Sequence, residues 1–166
     1  ERLENAFAER AGTLLDEAER DGIDVLRFNL RELWGDAHHY RCDGVWDRKT
    51  LCRLFRNRPG DRRFDPRRLH RFWMPLELVA DLGRVGRHCD LDIYHLRMIE
   101  ARDRERRAAR YRDLDPDALY QSLGYEYLLD ETGLELRRIP EERGFFPAPP
   151  PMARRSAARP LSHFSS

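Results

Sequence analysis

The stretch Asp21–Asp36, DGIDVLRFNLRELWGD, decides how the fold is read. Ile23, Leu26, Leu30, Leu33 and Trp34 recur at three- and four-residue steps. That spacing lines one face of an α-helix. Gly35 stands where a helix closes in a left-handed residue. The stretch is therefore expected to be helical. The preceding NAFAERAGTLLDEAERDG carries the same period in Phe7, Ala11, Leu14, Leu15 and Ala18, and Gly22 stops it.

Working outward, a third helix is expected over Asp47–Arg56, with Leu51, Leu54 and Phe55 on one face. In FDPRRLHRFW, Asp65 reads as an N-cap and Pro66 as the first helical residue. Pro75 then breaks or kinks that helix, or begins a new one at PLELVADLG, and Gly83 stops the segment. A long helix is expected from Leu91 to Arg112, with Leu91, Tyr94, Met98 and Ile99 facing inward. Its second half, ARDRERRAARYR, is polar all round and needs solvent or a partner. DPDALYQSLG repeats the Asp-Pro cap at Asp115 and Pro116. YEYLLDETGLELRRI reads as two short strands of a hairpin around Asp130–Gly133. The expected fold is mainly α: an irregular multi-helix domain over 1–142 with a small C-terminal β-hairpin. An extended Pro/Arg-rich tail follows over 143–166.

The 166 residues are 40% apolar and 37% charged, with a net charge of +1. That implies one domain with a modest core under a charged surface. Lys49 is the single lysine among 31 basic side chains. Such a bias follows from a GC-rich genome. It also suits fixed bidentate contacts to carboxylate or phosphate. Charge is segregated along the chain. Residues 1–40 hold ten acidic and five basic side chains, whereas 53–71 hold eight arginines and two aspartates. Residues 113–142 are acidic again, and the tail has four arginines and no acid. Such blocks favour oriented docking on partners.

Several chemistries find no pattern here. There is no phosphate-binding glycine loop and no G-x-S-x-G elbow. Cys42, Cys52 and Cys89 are too few for a disulfide scaffold and fit a reducing compartment. His38, His39, Cys42, Cys52, His88 and Cys89 are zinc-type ligands, but no paired Cys-x-x-Cys spacing predicts their convergence. Asp113, Asp115 and Asp117 open like a calcium loop, yet Ala118 takes the place of the required glycine. No cofactor, metal or catalytic residue is therefore expected. No apolar run approaches the roughly 18 residues of a membrane span.

The segments LCRLF, LHRFW and LDPDALYQSLGY resemble, in their helical order, LETM-type mitochondrial ribosome-binding domains. The resemblance covers about residues 47–127, with insertions before Arg71 and after Leu91. It implies a helical ribosome-associated module and transfers no site residue.

Together these features lead to the expectation of a non-catalytic accessory subunit of a large assembly. The first candidate is a mitochondrial ribosome or other ribonucleoprotein, with protein subunits and rRNA as partners. The alternative is an extramembrane supernumerary subunit of a respiratory complex or ATP synthase. The binding residues would be Arg53, Arg56, Arg58, Arg62, Arg63, Arg67, Arg68 and Arg71, joined by Arg154, Arg155 and Arg159 in the tail. Phe55, Phe64, Phe72 and Trp73 interleave with the first group, as stacking on unpaired bases would require. The mitochondrial address is an expectation from the arginine bias and from Glu1 rather than Met at the start.

Overall fold

The structure is a computed structural model that describes residues 1–60, 62–67 and 69–146. Its centre is a sheet, not a helical bundle. In chain order the elements are β1 (Arg2–Leu3), α1 (Ala6–Arg20), β2 (Val25–Glu32), β3 (His39–Arg41) and β4 (Thr50–Phe55). Then follow α2 (Leu76–Ala80), α3 (Leu82–Val85), β5 (Gly86–His95), α4 (Ala101–Leu114) and β6 (Leu136–Arg138). Four strands form one mixed sheet in the order β1-β5-β2-β4. The central pair β2 and β5 is parallel, and both edge strands run antiparallel to their neighbours. β2 shifts register against β4 and against β5 around Arg27. Such bulges increase local twist and curl a sheet.

The mainly-α expectation is thus corrected. DGIDVLRFNLRELWGD forms β2, not a helix. Its Leu26, Phe28 and Leu30 alternate with Arg27, Asn29 and Arg31, which is the period of a strand. Asp47–Arg56 likewise holds β4. The long helix expected from Leu91 is two elements, β5 and α4, with a 3-10 turn at Leu96–Met98 between them. The hairpin over 125–139 is also replaced. β6 pairs instead with β3, His39 opposite Arg138 and Arg41 opposite Leu136. No helix forms over Asp65–Trp73 or at Asp115–Gly124 among the described residues. The helical order behind the LETM resemblance is absent where LCRLF forms β4. The expectations for α1 and its stop at Gly22 (φ 67°) agree with the structure. Of the alternatives at Pro75, a new helix begins, but it ends at Ala80, and Gly83 lies inside α3 instead of stopping the segment.

Alternation gives the sheet two differently built faces. On one face α1 lays Phe7, Leu14 and Ala18 over Leu26, Phe28, Leu54, Leu91 and Ile93. Phe7 and Phe28 meet edge to face, centroids 6.0 Å apart. On the other face Val25, Cys52 and Phe55 pack under Met74, Leu78 and Val85 of the α2–α3 corner. That corner turns sharply into β5, and a Cβ on Gly86 would stand 2.5 Å from the Leu82 carbonyl oxygen. A further core lies under α4, where Trp34, Trp46, Met98, Ala108, Tyr125 and Leu128 assemble.

Beside Tyr94 the second face is ionic. Arg143, placed in the tail by its sequence, donates to Glu4 (3.0 and 3.1 Å) and to Asp90 (3.1 Å), and lies 3.3 Å from Asp92. Tyr94 donates to the Arg143 carbonyl (2.7 Å), and Phe145 covers its ring. Arg31 approaches Asp92 from β2 (3.1 Å). Burial works against the Arg143 charge, but Asp92, Asp90 and Glu4 outweigh it and raise its pKa. The two ends of the described chain are thereby clamped to one strand. No helix among the described residues is long and apolar enough to cross a membrane.

Candidate functional site

The arginines singled out in the sequence lie on β4 and on the loop that carries the chain to α2. Arg53 stands at the β2–β4 register shift, and its guanidinium forks onto Glu1 with two contacts of 2.8 Å. Arg56 reaches Glu19 (3.3 Å) and Asp24 (3.6 Å), and Arg58 reaches Asp24 (2.8 Å). Arg63 pairs with Glu77 (3.0 Å) and Arg67 with Asp65 (2.6 Å). Arg62 donates to the Arg58 carbonyl. Arg71 lies over the Trp73 ring, 4.7 Å from its centroid. Arg68, Arg154, Arg155 and Arg159 lie outside the described residues.

The acidic start of the chain is therefore a counterion for the basic segment. Glu1, Glu19 and Asp24 come from the acidic block, and three of the segment's arginines rest on them. Segregated charge in the sequence becomes neutralisation within the molecule. The field left for an outside phosphate is smaller than the +6 of residues 53–71 suggests.

Asp65 organises the loop, though not as a helix cap. It is 7% exposed and accepts the backbone N–H groups of Arg67 (3.0 Å) and Phe72 (3.1 Å) as well as the Arg67 guanidinium. These donors, Arg67 first, hold its carboxyl well below the usual range. The turn it closes carries the neighbouring rings outward. Phe64 is 54% exposed, Phe72 43% and Trp73 60%. Arg53 and Arg71 both lie over the Trp73 ring, and Arg67 lies over Phe72.

A second exposed segment, Asp115–Leu123, is joined to this loop. His70 stacks on Tyr125, rings 4° from parallel with centroids 5.9 Å apart, and its Nε2 lies 3.3 Å from the Tyr125 hydroxyl. That hydroxyl donates to Asp115 (2.6 Å), which also accepts the N–H groups of Leu119 and Tyr120. Burial pulls the Asp115 pKa up, but these three donors bring it below the usual value. Burial lowers the pKa of His70. Leu119, Tyr120 and Leu123 point outward. The His70–Tyr125 contact therefore ties this segment to the arginine-bearing loop.

Phe64, Phe72 and Trp73, which interleave with the arginines in the sequence, are exposed beside them in the fold. The sequence reading missed the His70–Tyr125–Asp115 junction. The visible signal was Asp115, whose cap-like position was read correctly as a backbone acceptor but assigned to a helix. Among the described residues no three His, Cys, Asp or Glu side chains gather as a metal site. Cys89 is in the core under α1, while Cys42, just past β3, and Cys52, on β4, are half-buried. Compared with protein-family models, curated proteins and solved structures, the chain has no match.

Proposed function

We propose that the protein is a non-catalytic docking subunit of a larger assembly, and that the surface built by residues 64–73 and 115–123 is where its partner seats. One observation carries this reading. Phe64, Phe72, Trp73, Leu119 and Tyr120 are large, apolar and exposed, on two loops fastened together by His70 and Tyr125. Contiguous exposed apolar surface marks interaction sites. Trp and Arg, here stacked as Arg53, Trp73 and Arg71, are the side chains that dominate interface energetics.

A protein partner is favoured over nucleic acid because Arg53, Arg63 and Arg67 already hold carboxylates of this chain. Membership of a ribonucleoprotein such as a mitochondrial ribosome is a narrower proposal within this reading. It rests on arginine usage and aromatic interleaving. Membership of a respiratory complex or ATP synthase is the second form, and rests on the same arginines meeting acidic protein surface.

The test is sedimentation of the native particle with tagged wild type and with F64S/F72S/W73S, followed by mass spectrometry. Wild type should travel with a defined set of subunits, and the triple variant should run alone at an unchanged melting temperature. Retention of the variant in the particle sinks the reading. Nuclease digestion then sorts the two forms: release on digestion supports the ribonucleoprotein, and retention with oxidoreductase or ATP synthase subunits supports the other.

A further inference from the structure

On the α1 side of the sheet, at the first turn of that helix, lies a cavity of ≈ 360 Å³. Leu3, Phe7, Phe28, Leu54 and Ile93 line it, one each from β1, α1, β2, β4 and β5. Phe28 and Ile93 are almost wholly buried and form its floor, and Leu3 is exposed at its mouth. Glu1, beside edge strand β1, meets Arg53 of the opposite edge strand β4 across that mouth. We propose that the cavity binds an aliphatic monocarboxylate of the fatty-acid class, with its alkyl chain over Phe28 and Ile93 and its carboxylate on Arg53 in place of Glu1.

The walls select the chain. A cavity of this size suits a small ligand. Below the mouth its lining side chains are alkyl and phenyl groups. A peptide guest would bury N–H and C=O groups against them without partners, which is costly. An alkyl chain carries no polar atom beyond its head. It gains from leaving water and asks for no hydrogen bond.

The mouth selects the head. Arg53 donates through Nη1 to the Cys52 carbonyl (3.3 Å) and lies over the Trp73 ring, 5.7 Å from its centroid. Both contacts hold the guanidinium without help from Glu1. Its Nε and Nη2 then present a fork shaped for a carboxylate, and Glu1 occupies that fork with two contacts of 2.8 Å. Arg2 borders the mouth too, its guanidinium on the Glu1 carbonyl (3.1 Å). Two guanidiniums against one carboxylate leave the mouth net positive. The Glu1–Arg53 pair is partly exposed on both sides, and such pairs contribute little, so one carboxylate exchanges for another at little cost. The guest adds the burial of its chain in space that Glu1 leaves open.

The experiment titrates decanoate, below its micellar concentration, into the full chain and follows the Leu54 and Ile93 methyl signals by NMR. Saturable shifts are expected there. Hexanoate, octanoate and decanoate should bind in rising order, by roughly 4-fold for each methylene buried. Decanol has the chain without the charge and should bind more weakly than decanoate. R53Q should weaken decanoate roughly 10-fold, the loss of a charge-assisted fork, and leave decanol unchanged. E1Q removes the competing carboxylate and should tighten decanoate. L3W sets an indole in the exposed mouth and should block both ligands at an unchanged melting temperature. The absence of saturable shifts in wild type and E1Q alike overturns the proposal. So does decanoate binding that R53Q or L3W leaves as in wild type. Shifts centred on Trp73 in place of Ile93 overturn it as well, because they mark adsorption to the docking loops.

Discussion

Arg143 and the Arg53–Arg71 segment use one chemistry in two settings. Arg143 is a single guanidinium between Glu4, Asp90 and Asp92, and the first and last of these carboxylates are almost wholly buried. The segment has many guanidiniums on carboxylates that mostly face water. In the first setting Glu4 and Asp92 have left water, so their pairs with Arg143 must be made or the fold loses heavily. In the second, solvent screens the pairs made to Glu1, Glu19 and Glu77, and each contributes little; only Asp24 and Asp65 are largely covered. The number of arginines in a stretch therefore says nothing about which arginine holds the fold.

The sharpest way to break the comparison is Arg143→Ala. It strands the Glu4 and Asp92 charges and should cost about 3–5 kcal/mol in denaturant unfolding. R143K should recover only part of this, because an ammonium cannot fork onto two carboxylates. A loss below about 1 kcal/mol for R143A would show that the cluster is no more than a surface network.

Asp65 comes next. D65A leaves the Phe72 and Arg67 N–H groups without their acceptor, so amide exchange over 66–73 should accelerate while the sheet stays protected. Equal protection in the variant would mean that packing of Leu69, not the carboxylate, sets the loop.

The replacement of Arg56, Arg58, Arg62 and Arg63 by glutamine should be nearly silent in stability, on the order of 0.5 kcal/mol or less per site. Assembly with the native particle should nevertheless weaken. Unfolding of the variant in the absence of its partner would overturn the distinction between the two settings.

The smallest effect concerns His70. Its folded pKa is depressed below the usual 6.5 by burial, against Asp115, which favours the charge, and Arg107 and Arg67, which oppose it. The unfolded chain therefore takes up the proton first. The stabilisation from neutral His70 is intact above pH 6.5 and is lost as pH falls through that value towards the folded pKa. Exchange over 66–73 should rise across that window. H70Q should flatten the dependence, and an unchanged profile in H70Q would assign the titration elsewhere.

Read as a sequence, the chain was legible at α1 and at the helix opened by Pro75. At α1 a long apolar stripe coincided with a stop at Gly22, and at Leu76 a fixed proline φ marked a start, though not the end, since Gly83 lies inside α3. It was misleading at β2 and β5. Leu26, Leu30 and Leu33 fit a helix, while Leu26, Phe28 and Leu30 fit a strand, and β2 satisfies both periods at once. Few β-branched side chains were present to break the tie. For β5 the apolar residues Cys89, Leu91 and Ile93 alternate with Asp90 and Asp92. Nothing near Asp92 in the sequence marks it as buried, because its counterion, Arg143, is 51 positions away (143 − 92).

The sequence by itself determined the acidic and basic blocks and the absence of a phosphate loop or nucleophile elbow, since these are properties of residue type and local spacing. Only the tertiary structure decided that the acidic block neutralises the basic one, that His70 meets Tyr125, and that a strand replaces a helix at Val25–Glu32. The reason is that a strand's hydrogen bonds and a buried ion's counterions come from distant parts of the chain. No local period can report a partner that folding alone brings near.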